Sequence, residues 1–332
     1  MTLHNSQKKH NKKLNNLPVK QIFTGVYRIC NKKTGEEING INYITIEIHD
    51  ATGSRIGQCL PEAINWYQNK PYELVNIKGY CKAEDNTKSV HILEIYPNND
   101  LENLGSTLSL PRQLSADPTW LERLIHIRLS LKSPTLSKFV DTVFADNDIG
   151  LAFLQVAGSS KYHHNHPGGL LAHSVEVAEI AAEQYYSSQD LRDIAVVAAL
   201  FHDVGKVRTL AVNQTTTILG KVVSHDSLTL EICALALKDL DRTWPEASYT
   251  MRHVWTSATP GAKYGFEQNC TIANIVKFAD RLSVDRYYET ETFKAERKSH
   301  GLAWDGKRYF WRPTPEPKII ERKSICQLNN IQ

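Results

Sequence analysis

The sequence predicts a chain of class β + α, a small five-stranded barrel followed by an all-α domain. Two observations carry this. From about Val19 to Pro97 apolar residues recur with a period close to two, and beyond residue 118 the period changes to 3.6. Residues 99–118, which include DLENLGSTLSLPRQLSADP, are polar with Gly and two Pro and read as a linker between the two patterns.

In the first pattern QIFTGVYRI, NYITIEIHD, SRIGQCL, YELVNIKGYCK and SVHILEIYP read as five strands, punctuated by the turn signals KKTGEE, DATG and EDNTK. Between the third and fourth lies PEAINWYQNKP, a short helical segment with Pro at its start and after its end. That order is the arrangement of an OB-fold barrel, a module that binds oligonucleotides or oligosaccharides. Residues 19–98 resemble the OB domains of bacterial nucleases at the level of pattern. Candidate base-stacking residues are Tyr27, Tyr43, Trp66 and Tyr80, with His91; barrel core is the competing reading for each.

The second pattern predicts helices over 119–132, 134–145, 168–186, 191–203, 226–240, 247–257 and 271–288 within a domain spanning 119–290. VVAALF is apolar on every side, which marks a helix buried at the centre. The extension 291–332 holds nine Lys or Arg against five acids with aromatics interleaved, a composition that suits single strands; a short strand pair, GLAWDGKRYFWRP, is preferred.

The 332 residues, 41% apolar and 23% charged, have an ordinary globular balance. Residues 1–18 form a polar, basic segment read as a disordered tail, without the apolar run of a secretory signal. No stretch reaches the roughly 20 apolar residues that span a bilayer. The six cysteines lack C-x-x-C spacing, which predicts reduced thiols in a cytoplasmic protein and argues against a disulfide framework or zinc knuckle.

Burying an unpaired His or Asp in an apolar helix costs several kcal/mol, so such groups persist when hydrogen-bonded or metal-bound. His202 and Asp203 end the most apolar helix, with Gly205 as an expected C-cap and Lys206 just beyond. Three His-Asp pairs occur. His49-Asp50 sits at a turn and His225-Asp226 at a helix start; only His202-Asp203 has an upstream helical His, His173, and a downstream helical Asp, Asp280.

GGLLAHSVEVA, then HDVGK with its His 29 residues after the first, then FADRLS, resemble the HD superfamily of metal-dependent phosphohydrolases. The resemblance implies that His173, His202, Asp203 and Asp280 bind a divalent metal. HHNHPGGLLAH is most similar to two groups, the YhaM-type exoribonucleases, which also carry an OB domain first, and the HD domain of TraI-type (MobH) conjugative relaxases. His163, His164, His225 and His253 match family histidines, implying contact with a second metal or substrate phosphate. Ala258 and Thr259 stand where the YhaM-type pattern has a His pair, which removes two ligands of that second metal.

Imidazole and carboxylate donors suit manganese, iron, nickel or zinc better than an all-oxygen magnesium cage. With Asp203 and Lys206 as catalytic candidates, Lys206 for charge on the phosphoryl oxygens, the expected function is a metal-dependent phosphodiesterase. Its expected substrate is single-stranded RNA or DNA, held by the barrel and cut from an end, in the 3′-to-5′ direction that the resemblance implies. The alternatives are a nucleotide phosphohydrolase and a non-catalytic nucleic-acid-binding factor of a mobile element. Self-association into a homo-oligomer is left open, and no membrane partner is expected.

Overall fold

The computed structural model describes residues 12–315 apart from 39, 82–88, 99–104, 259–260, 262, 264 and 268. The expected turn at EDNTK, most of the basic tail, part of the linker and the end of the C-terminal extension lie outside the described residues.

Strands β1 (Ile22–Ile38), β2 (Ile41–Asp50), β3 (Gly53–Cys59), β4 (Glu73–Cys81) and β5 (Val90–Pro97) close a barrel in the order β1-β2-β3-β5-β4. Neighbours are antiparallel except β3 and β5, which run parallel. This is the OB arrangement, with a 3-10 turn at Pro61–Ile64 between β3 and β4. Alternation sends Phe23, Tyr27, Ile29, Ile46, Ile48, Val75 and Ile77 into the barrel core. KKTGEE is not a turn: β1 runs through it, with register shifts at Cys30/Lys33 and Thr34/Glu37, and pairs with β2 out to Ile38–Ile41. The extra residues of those shifts are accommodated as bulges, which let an extended chain absorb turn-like residues.

The helical region comprises α1 (Pro118–Ser130), α2 (Pro134–Ala145), α3 (Asn147–Gln155), α4 (Gly169–Ala182), α5 (Gln189–Phe201), α6 (Lys206–Thr209), α7 (His225–Ile232), α8 (Ala234–Thr243), α9 (Pro245–Thr256) and α10 (Thr271–Ala295). Side-chain caps start several of them, Asp117 for α1, Ser133 for α2 and Ser188 for α5. α5 is buried from Asp193 to Phe201, the central position its apolar run predicts. The single helix expected over 226–240 is broken at Cys233, whose backbone leaves helical geometry.

Barrel and helical region share one compact unit, Met1–Ser283. The outward face of β1 is buried where helices cover it, and Arg28 is wholly enclosed there. Its guanidinium donates to Phe144 O at 2.6 Å and to Asn147 Oδ1. The Ala51 amide donates to Leu108 O at 3.0 Å, and His49 Nδ1 meets the Gln113 amide.

Val284–Gln332 form a second unit. Within it β6 (Gly301–Trp304) and β7 (Tyr309–Arg312) make the expected strand pair, held to the end of α10 by Arg312–Glu289 and Arg308–Asp285 ion pairs. Leu302, Trp304, Tyr309 and Trp311 are exposed on this hairpin.

Candidate metal centre

Three helices supply the donors. His173 is wholly buried in α4, His202 and Asp203 follow the end of α5, and Asp280 projects from α10. His173 Nε2 lies 3.1 Å from Asp280 Oδ1 and 3.5 Å from Asp203 Oδ2. His202 Nε2 lies 3.4 Å from Asp203 Oδ2 and 3.7 Å from Asp280 Oδ1. The four side chains named from the sequence therefore converge on one point.

Their outer partners fix which nitrogen faces it. His173 Nδ1 lies 3.1 Å from Ser283 Oγ, which in turn donates to Glu176 Oε2 at 2.7 Å. His202 Nδ1 lies 2.7 Å from Ala199 O, a carbonyl that can only accept. With the proton on Nδ1 in each ring, both Nε2 lone pairs point inward, the usual state of metal-ligating histidine. Neither Nε2 is aligned for a hydrogen bond although both are buried. Two inward lone pairs and two carboxylates fit a divalent cation and would be costly without a cation or a proton between them.

The electrostatics agree. Burial opposes the charge on His202, but Asp203 and Asp280 outweigh it and raise its pKa to about 10. Burial also opposes ionisation of Asp203, yet the Lys206 ammonium 2.6 Å away and His202 hold its carboxyl well below the usual range. Asp280 is likewise lowered against burial by His173 and His202. The centre draws positive charge to its middle. Lys206 stands beside the quartet through its ion pair with Asp203.

Around this quartet stands a second ring of imidazoles. His225 Nε2 lies 3.1 Å from Asp203 Oδ1, and that contact raises its pKa. The His163 and His164 rings lie 5.4 and 5.2 Å from that of His173. Burial lowers them to about 4 and about 3, so both are neutral near pH 7. His253 is not brought to the quartet; its Nε2 accepts from the Asn269 amide at 3.3 Å. Ala258 is bridged to Glu267, and Thr259 lies outside the described residues.

Three glycines set these approaches. Gly205 is not the left-handed C-cap expected: its φ is −56°, and a Cβ there would fall 2.0 Å from His225 O. Close packing of α7 onto the His-Asp turn is what requires it. Gly168 does adopt a left-handed φ of 74°, and a Cβ on Gly169 would fall 2.0 Å from His164 O.

A cleft of about 590 Å³ opens on the quartet, lined by His202, Asp203 and Asp280 together with His225, Trp255 and Lys277. Glu176, Ser283 and Lys277 were not singled out from the sequence. The signal was present: Glu176 follows His173 by three residues, Ser283 follows Asp280 by three and Lys277 precedes it by three, each on one helix face.

Among the barrel aromatics, Tyr27 is wholly enclosed, with its hydroxyl donating to Lys12 O at 2.6 Å, so it cannot offer a face to a base. Trp66 packs against the barrel core and donates from Nε1 to Ala63 O. Tyr43 is half-buried on β2. Tyr80 on β4 is half-buried and stacks on His91, centroids 5.3 Å apart and planes 18° from parallel. None of the described cysteines is in a disulfide. Among the described residues no helix is long and apolar enough to cross a membrane.

Comparison with known proteins agrees with this geometry. The HD domain family matches residues 170–285, which contain all four donors. The 3′-5′ exoribonuclease YhaM of Shouchella clausii is 24% identical over 297 residues, 85% of this chain and 91% of that protein. Its counterpart in Oceanobacillus iheyensis is 23% identical over 253 residues, 73% of this chain and 77% of that protein. A dihydroneopterin 2′,3′-cyclic phosphate phosphodiesterase of Methanocaldococcus jannaschii is 28% identical over 135 residues, 36% of this chain and 52% of that protein. A barrel stands ahead of the HD domain, and similarity to the YhaM protein of Shouchella clausii reaches both, so the chain is YhaM-like and carries the HD domain of a hydrolytic enzyme.

Proposed function

We propose that the chain is a metal-dependent 3′-to-5′ exonuclease of single-stranded RNA, its strand held by the barrel and its phosphodiester cut at the HD centre. The observation that carries this reading is the convergence of His173, His202, Asp203 and Asp280, with both Nε2 atoms turned inward. Similarity to the YhaM protein of Shouchella clausii, which at 85% of this chain reaches the barrel as well as the HD domain, supports a polymer rather than a small substrate.

His173, His202, Asp203 and Asp280 would hold a divalent ion, which would supply the lowered pKa of a bound water and the polarisation of a phosphoryl oxygen. The chain's own residues do the rest. Ser283 and the Ala199 carbonyl orient the two imidazoles, and Lys206 keeps Asp203 ionised. Lys277, one turn before Asp280 and holding Ser257 O at 3.3 Å, puts a positive charge on the cleft wall where a phosphate would lie. Neutral His163 and His164 can donate to phosphate oxygens without adding net charge near His173. The mixed imidazole and carboxylate set favours manganese, iron, nickel or zinc.

One observation favours a second reading. The cleft, at about 590 Å³, has the size of a small-ligand pocket, which suits a mononucleotide phosphohydrolase. End-labelled single-stranded RNA and DNA incubated with the protein in manganese separate the readings. Stepwise shortening from the 3′ end, blocked by a 3′-phosphate, is expected. Internal fragments would overturn the exonuclease, hydrolysis confined to mononucleotides would favour the second reading, and binding without cleavage would leave a non-catalytic strand-binding factor.

A further inference from the structure

A second set of donors lies far from the HD quartet in sequence, on the barrel. Cys30 on β1 pairs directly with Glu47 on β2, and His49 lies two residues along, so the pleat turns all three side chains to one face. Cys30 Sγ lies 3.1 Å from His49 Nε2 and 3.9 Å from Glu47 Oε2, and Glu47 Oε2 lies 3.5 Å from His49 Nε2. All three donor atoms lie within 4.8 Å of one another.

We propose that Cys30, Glu47 and His49 form a zinc-class metal site on the barrel face that docks against the helices. Zinc with Zn–S of about 2.3 Å and Zn–N or Zn–O of about 2.0–2.2 Å sets tetrahedral ligand separations of roughly 3.3–3.6 Å. The His49–Glu47 separation of 3.5 Å falls within that range, and the Cys30 separations of 3.1 and 3.9 Å lie just below and just above it. Thiolate, imidazole and carboxylate together select zinc over magnesium or calcium, and three protein ligands leave a fourth position for water.

The surroundings suit the assignment. His49 and Cys30 are buried, while the Glu47 side chain is 35% exposed and gives an ion a route in. Gln113, from the helical side of the seam, contacts His49 Nδ1. Its amide Nε2 donates to Nδ1, so the ring proton sits on Nε2 and leaves when an ion binds there. The register of β1 shifts immediately after Cys30, and Asn31 takes a left-handed φ of 55°, a bulge of the kind that re-aims a side chain. Burial, reinforced by Glu47, pushes the Cys30 thiol up to about 11, so binding releases a proton. The bland alternative is a hydrogen-bonded triad in which Nε2–H donates to Glu47 and the thiol.

Cobalt(II) titration of metal-stripped, full-length protein decides between them, because the HD quartet has no sulfur donor. A near-ultraviolet thiolate-to-cobalt charge-transfer band is expected in the wild type and in Asp203→Ala, and its loss in Cys30→Ser. No band in the wild type, or a band that survives Cys30→Ser, overturns the site. Should Cys30→Ser fail to fold by circular dichroism, Glu47→Gln replaces it. Cobalt affinity read from the same band should then fall roughly tenfold or more, and an unchanged titration overturns the site.

Discussion

The helical region and the barrel each gather metal-ligand side chains, by opposite means. In the helical region the side chains come from α4, the end of α5 and α10, spread over more than a hundred residues, and the fold brings them together. In the barrel they come from one hairpin, where the pleat places a cross-strand partner and an i+2 neighbour on the same face. A polar side chain inside an apolar helix is an anomaly that a reader of sequence notices. One at an alternate position of a strand is the normal pattern, so the same chemistry leaves no mark.

The comparison can be broken most forcefully at Asp203, which touches both histidines, Lys206 and His225. Asp203→Ala should take hydrolysis to background while strand affinity, measured by filter binding, stays within a few-fold. Retained turnover would remove the helical centre from the reaction. Gly205→Ala comes next. Its methyl would displace the start of α7 and with it His225, and a shift of about 1 Å near a reacting group costs on the order of 10²-fold in kcat. Full activity would mean that His225 does not matter.

Ser283→Ala tests whether outer partners matter as the geometry implies. Losing the contact to His173 Nδ1 should weaken metal binding roughly 10-fold to 100-fold, read by isothermal titration, with Ser283→Thr restoring most of it. The smallest effect belongs to the barrel surface. Tyr80→Ala should weaken single-strand binding by about 1 kcal/mol, about fivefold, without changing hydrolysis of a small phosphodiester. An effect on both would make Tyr80 structural.

The five strands, the turn between the third and fourth and most helices were legible because each rests on a local pattern, and the four side chains read from sequence come together in the fold. α3 was missed because nine residues of NDIGLAFLQ are too short to show helical periodicity. The break at Cys233 was missed because ALALKDL continues the apolar stripe across it. KKTGEE carries turn residues, yet cross-strand pairing overrode them. Tyr27 illustrates a subtler limit: an aromatic on a strand can stack or pack, and only register says which face it takes. Gly205 was assigned from its place after a helix, whereas the residue that requires it, His225, lies 20 positions on. The cysteine spacing argued against a zinc knuckle, but strand pairing brings Cys30 to Glu47 and His49 without any such spacing.

Arg28 has a consequence for how a polymer would be processed. A guanidinium sealed between β1 and the helical carbonyl of Phe144 fastens the barrel to the helical region, so cutting the barrel away would take the buried donor from that carbonyl. If the barrel holds a strand, the span from hold to cut is a constant of the molecule. Digestion should then stall at one residual oligomer length, and loosening that fastening should blur it into a ladder.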